Sequence, residues 1–295
     1  MMEVRYGNFL YFFFLALLFA MTYFSEILCR RMGKEFAYKF ILTILWTNFA
    51  LHYVKQLNPS YLADFPYALK RSTPENLCAL LITLAPFIFM WGGNWTKDYM
   101  FFMGIISGLA TYLNPSGALN VPLDNANTIL EVLRFYLCHA PLVICSLLMV
   151  TQGFHKPNYH RIWALPITFL GFETIIFLNE LALKFSGLVP MDWVDLWSRN
   201  YRNGAMVFGP FPGMDKALSW LYPILVPSFL RYTSEVGVTN FIPVLWLILP
   251  VYLVAVPLVF LFYIPFEHHH MGCDFLMFKQ KRRLARLSRA YLKAK

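Results

Sequence analysis

Residues 8–28 read NFLYFFFLALLFAMTYFSEIL, twenty-one residues whose only charge is Glu26. A bilayer's hydrocarbon core accepts about 20 consecutive apolar residues per helical crossing. Inside it the backbone must bond to itself, which leaves helices or closed barrels. The feature recurs. Comparable stretches cover about 36–54, 77–93, 99–113, 131–151, 161–184 and 241–264. They predict an all-α fold, a polytopic transmembrane helix bundle of about seven spans, with six to eight as the range. Composition agrees: 14% of residues are charged and 58% hydrophobic, against about 25% charged in soluble domains. The first stretch runs into CRRMGK rather than a small-residue cleavage site, so it reads as a span and not a signal peptide.

An odd number of spans puts the termini on opposite sides. Arg30, Arg31 and Lys34 follow the first span while only Arg5 precedes it, which sets the N-terminus outside and the C-terminus in the cytoplasm. Lys97, HKPNYHR (155–161) and the tail KQKRRLARLSRAYLKAK, with eight cations in seventeen residues, then also fall inside. The expected organisation is a transmembrane domain over 1–265 and a basic juxtamembrane tail over 266–295. An interfacial insertion lies outside at about 186–240, where ALSWLYPILVPSFL (217–230) reads as an interfacial or re-entrant helix. The tail suits anionic lipid headgroups. Without a folded platform of aromatic and base-reading groups it does not suit nucleic acid. No P-loop, Rossmann fingerprint or internal repeat is present, and no cofactor is implied.

Cys29, Cys78, Cys138, Cys145 and Cys273 have no CxxC or zinc-ligand spacing, so neither a disulfide framework nor a metal site is expected. FEHHHMGCD (266–274) is rich in ligating types. Adjacent residues of one helix point in different directions, however, and do not converge on an ion. GIISG, with Gly104 and Gly108, is a small-xxx-small pattern that lets two helices approach closely.

Ionisable groups inside spans face the bundle interior, a cavity or a partner. Asn48, His52 and Lys55 share one helical face, as do Glu173, Glu180 and Lys184. Glu131 and Arg134 are placed to pair, with His139 about two turns deep. Three such stripes imply a hydrated cavity. In STPENLCALLITLAP (72–86), Thr73 can cap a helix, Pro74 suits its first position and Glu75 complements its positive end. That sets Cys78 in the second turn, where it is either a small packing residue or a thiol activated by the helix terminus. His139 is the candidate base.

The order NLCALLITLAP, GIISGLATYLNP, RFYLCHAPLVI, FLNELAL resembles the YwaF-like family of bacterial membrane proteins. That family is related to a vertebrate transmembrane acyltransferase acting on ether phospholipids. The resemblance covers about residues 35–185. It implies a Cys/His transacylase in a bacterial cytoplasmic membrane, with Cys78 as nucleophile, His139 as base and Asn179 as the polar residue late in the sixth span. Asn76, Arg134, Glu173, Glu180 and His52 are then candidates for substrate contact, and membrane phospholipids are the partners. Asn76 stands where some relatives carry histidine, and FLNELAL lacks the tyrosine that often follows the asparagine. A small-molecule or lipid transporter with a polar intramembrane cavity, and a non-catalytic assembly subunit, are the competing readings.

Overall fold

A computed structural model describes residues 2–193, 205–210, 220–233 and 239–294. Parts of the expected outer insertion, 194–204, 211–219 and 234–238, lie outside the described residues, and with them the start of the re-entrant segment. The chain is mostly helical: α1 (Phe9–Met32), α2 (Lys34–Val54), α3 (Pro59–Ala63), α4 (Tyr67–Lys70), α5 (Leu77–Trp91), α6 (Asn94–Leu113), α7 (Ala126–Thr151), α8 (Ala164–Ser186) and α9 (Val256–Ala294). Among the described residues four stretches are long and apolar enough to cross a membrane: α1, α7, α8 and Leu245–Leu287. The apolar α5 has 15 residues, while α2 and α6 have 21 and 20.

The helices run alternately between two ends of one bundle. At one end Asn58 donates to Glu131, Arg134 to the Tyr61 hydroxyl, and Asn179 to Thr73. The N-terminal residues Glu3 and Val4 bridge to Pro122 and Leu119 there. At the other end Thr151 bonds Glu26, Lys34 reaches the Gly153 carbonyl, and Asp98 holds both His155 and Arg161. We name these the Cys78 end and the Asp98 end.

Asparagines start the helices. The side chains of Asn8, Asn76 and Asn125 accept from the third amide of α1, α5 and α7 respectively, each using an amide the helix itself leaves unpaired. Pro86 and Pro141 lie inside α5 and α7, where neighbouring helices can compensate the lost bonds. The most extensive packing joins α6 to α7, and Gly104 and Gly108 lie on that seam. A Cβ on Gly104 would stand 2.8 Å from the Leu142 carbonyl oxygen, and one on Gly108 2.5 Å from Cγ2 of Val143. The small-residue pattern is a packing face.

Two helices are longer than hydropathy suggests. Helix α6 begins at Asn94 rather than 99 and α7 at Ala126 rather than 131, because each opens with a polar turn that an apolar window excludes. The last span begins with a 3-10 turn at Leu245–Leu247 and a π-helical turn at Val251–Ala255. The π turn ends two residues before Pro257, which has no N–H for an i−4 bond. From there α9 continues through residues 265 and 266 without a break. Between α8 and this span the described residues hold a four-residue helix at Tyr222–Leu225 and a short antiparallel pair, Arg231–Thr233 with Thr239–Phe241. Val226 is fully buried, and Leu225 packs with Phe241 and Trp246.

Candidate functional site

Cys78 is partly buried at the second position of α5. The expected Thr73 cap is corrected by the structure. Asn76 is the N-cap, its side chain accepting from Ala79 N at 2.8 Å, while the Thr73 hydroxyl donates to the Lys70 carbonyl at 2.7 Å. Asn76 prevails because its extended backbone (φ −150°, ψ 168°) aims the amide oxygen at the first turn. Cys78 therefore lies in the first turn rather than the second, closer to the positive helix end. The amides of Leu77 and Cys78 precede the first helical bond, Leu80 N to Asn76 O. No bond to either is found among the described residues, so both can donate to an incoming oxygen.

His139 lies midway along α7 (Ala126–Thr151), deeper than the two turns expected, because the helix starts at Ala126. Its Nδ1 lies 2.6 Å from the Phe135 carbonyl, which fixes that nitrogen as the donor and leaves Nε2 as the basic one. Among the described residues no hydrogen bond joins His139 to Cys78. The thiol beside its ring is Cys138, with Sγ 3.3 Å from Nδ1 and 3.3 Å from the Phe135 carbonyl. Both groups share one acceptor, so the Cys138 contact is not a thiol–base pair. Asn48 ties α2 to this level by donating to the Cys138 carbonyl at 3.0 Å.

Around the pair lies a dense cationic cluster. His52 Nδ1 is 3.4 Å from Lys55 Nζ, and His52 interacts electrostatically with Arg134 and His139. Lys55 donates to the Arg71 carbonyl. Burial, then the nearby Arg134 guanidinium, pushes the Lys55 ammonium down to about 8. Arg134 pairs with Glu131 at 2.7 Å, as its spacing predicts, and lies over the Tyr61 ring. Glu180 does not pair with Lys184 four residues on. It meets Lys70 at 2.7 Å in a buried ion pair, and Lys184 instead donates to the Met191 carbonyl. Asn179 donates to the Thr73 hydroxyl at 3.0 Å, holding the α4–α5 link against α8. The polar stripes are thus largely taken up by direct contacts between helices.

Glu173 differs. It is fully buried, and neither carboxylate oxygen has a hydrogen-bond partner among the described residues. Tyr99 of α6 lies near both Glu173 and Cys78. Tyr99 also borders an apolar cavity of about 500 Å³ between α6, α8 and the last span, walled by Phe102, Phe169, Trp246 and Val259. Cavities of this size hold small hydrophobic ligands.

One polar centre escaped sequence reasoning. Asp98, fully buried near the start of α6, accepts from Arg161 at 2.5 and 3.1 Å and lies 2.8 Å from His155 Nε2. Arg161 is thereby held firmly in its charged form. Asp98 falls just outside the apolar window at 99, and its partners are more than fifty residues away. Beside it Tyr159 and His160 both bond Asp274 of α9. Those bonds keep the Asp274 carboxyl below its usual range and raise the Tyr159 hydroxyl to about 12. In 266–274, Glu267 pairs with His270 at 3.2 Å, and no group of three or more His, Cys, Asp or Glu among the described residues is arranged to hold a metal ion.

Apolar helices of spanning length packed on a largely apolar core, with a few buried ion pairs between them, mark a helical membrane protein. The comparison with protein families is consistent with this: a profile of the TMEM164 family matches residues 4–264, and the chain belongs to that family. No curated protein and no solved structure matches it.

Proposed function

We propose that this protein is a membrane-embedded Cys/His acyltransferase that moves an acyl chain from a phospholipid to a lipid or lipid-linked acceptor. The observation that carries the reading is Cys78 in the first turn of α5, beside two unused helix-start amides, with His139 midway along α7, a helix in contact with α5. His139 Nε2 takes the thiol proton and the thiolate attacks the ester carbonyl. The oxyanion is held by the amides of Leu77 and Cys78. The lysophospholipid oxygen leaves with the proton from His139, and the acyl group stays as a thioester. An acceptor hydroxyl or amine then gives its proton to Nε2 and attacks the thioester, which returns the thiol. Asn179 and Asn76 position the start of α5. His52, Lys55 and Arg134 face the lipid phosphate, with Glu131 and Glu180 holding cations in place. The apolar cavity at Tyr99 suits the hydrocarbon chain. The reaction requires the His139 ring to close on Cys78 across the α5–α7 contact once substrate is bound, since catalytic hydrogen bonds often tighten only in the complex.

The same reading places seven spans in a bacterial cytoplasmic membrane, N-terminus outside, with the basic tail on anionic headgroups. Glu173 favours one competitor, because an unpaired buried carboxyl also suits a transport pathway. Purified protein incubated with a radiolabelled phospholipid separates the two. Cys78→Ser abolishes the covalent acyl adduct and His139→Ala slows transfer by about 10²-fold or more, whereas Glu173→Gln leaves the adduct in place. If wild-type protein forms no adduct, and solute or lipid movement falls with Glu173→Gln but not with Cys78→Ser, the protein is a transporter.

A further inference from the structure

The Asp98 end contains a polar cavity that acyl transfer does not use. It measures about 660 Å³ and lies between the start of α6, the 153–161 loop and α9. Its walls carry Lys97, Lys156, Arg161 and His270, against one lining carboxylate, Glu267, that already meets His270 at 3.2 Å. The cations differ in how they are held. Arg161 is pinned from behind by Asp98 and donates to the Lys156 carbonyl at 2.8 Å, using Nε and Nη2. Its Nη1 enters no bond among the described residues and keeps its donors. Among the described residues Lys156 Nζ meets only His270 Nε2, at 3.5 Å, and Lys97, partly buried, has no partner. Two lysines without a carboxylate partner among the described residues, beside a buried carboxylate that anchors an arginine at the wall, form a receptor for an anion rather than a structural ion pair. The first turn of α6 opens at Asn94 on the same cavity with no side-chain cap, which adds positive potential. Eight further cations follow on the same chain end at 279–295.

We propose that this cavity binds a phosphate-bearing group through Lys97, Lys156 and Nη1 of Arg161. Basic pockets between membrane helices hold lipid headgroups in this way, and a soluble phosphate offers the same oxygens.

Full-length protein in neutral detergent, titrated with dioleoyl phosphatidic acid in mixed micelles and separately with inorganic phosphate, tests the site by calorimetry. Lys97→Ala with Lys156→Ala weakens binding about 20-fold, Lys97→Arg with Lys156→Arg retains it, and Arg282→Ala with Arg283→Ala in the tail leaves the dependence on the two lysines intact. An unchanged melting temperature without ligand shows that the alanine variant is folded. Lysine-dependent binding of phosphatidic acid alone identifies a lipid headgroup, of inorganic phosphate alone a soluble ligand, and of both in competition the phosphate group itself. Equal binding by wild type and the alanine variant, no binding by either, or loss confined to the tail variant overturns the proposal.

Discussion

At the scale of single residues, Lys70 and Glu180 show how far a partner can lie from the one that spacing suggests. Glu180 and Lys184 are four apart on one helix, yet Glu180 meets Lys70, 110 positions earlier, at 2.7 Å in an almost fully buried pair. Helical spacing shows which residues can touch along one element, and nothing in it reveals a contact between helices. The same limit hid Asp98, whose partners His155 and Arg161 lie in a later loop. It also misplaced the α5 cap. Both Thr73 and Asn76 are good capping residues, and only the backbone turn between them decides which one caps. The Glu131–Arg134 pair was legible because it depends on spacing within one segment. Removing one member of a buried ion pair leaves the other charge uncompensated. Lys70→Met should therefore lower stability by about 3–5 kcal/mol, read from thermal unfolding in detergent. Lys70→Met with Glu180→Leu should recover most of that loss. A double variant no more stable than the single one would show that the pair is not the source of the destabilisation.

At the scale of elements, the helices were readable because lipid forces each crossing to be apolar and self-bonded, and that requirement is written locally. Their polar first turns were not, which is why α6 and α7 each begin five residues earlier than their apolar windows at 99 and 131. The seam between these two helices was legible as the Gly104–Gly108 pattern, although only the fold identifies α7 as the partner. It bears on the site, because Gly108 packs against the carbonyl of His139: an added Cβ would stand 3.2 Å from that oxygen. Gly104→Ala meets both the Leu142 carbonyl and the Ser146 side chain, so α7 must shift to admit the methyl group. Overpacking of this kind destabilises by about 1–3 kcal/mol. Gly171→Ala on α8, where nothing lies within 4 Å, is the matched control and should leave the melting temperature unchanged or slightly raised. Equal effects of the two substitutions would mean that helix propensity, not the seam, governs the response.

At the scale of the molecule, the two ends differ in the cations they carry. At the Cys78 end, Arg5, Lys70, Arg71 and Arg134 each meet a carboxylate, Glu3, Glu180, Asp64 and Glu131, while Lys55 and Lys184 donate to backbone carbonyls. Arg30 and Arg161 at the Asp98 end are likewise paired, with Glu26 and Asp98. At the Asp98 end, Lys97 has no such partner among the described residues, Lys156 meets only a histidine, and the α9 extension adds eight cations. Lys and Arg in short loops near span ends stay on the cytoplasmic side during insertion, and acidic residues contribute little to that bias. On this count we propose that the Asp98 end faces the cytoplasm and the Cys78 end the outside. Two exposed positions report on this directly: Cys273 on the α9 extension and Ser60 beside the start of α3. In intact cells a membrane-impermeant maleimide should label a Ser60→Cys variant at residue 60 and leave Cys273 unlabelled until the membrane is opened. The reverse pattern would invert the bundle. Cys78 would then draw its acyl donor from the inner leaflet, and the lysine-lined cavity would face a compartment outside the cell, where cytoplasmic phosphate compounds cannot reach it.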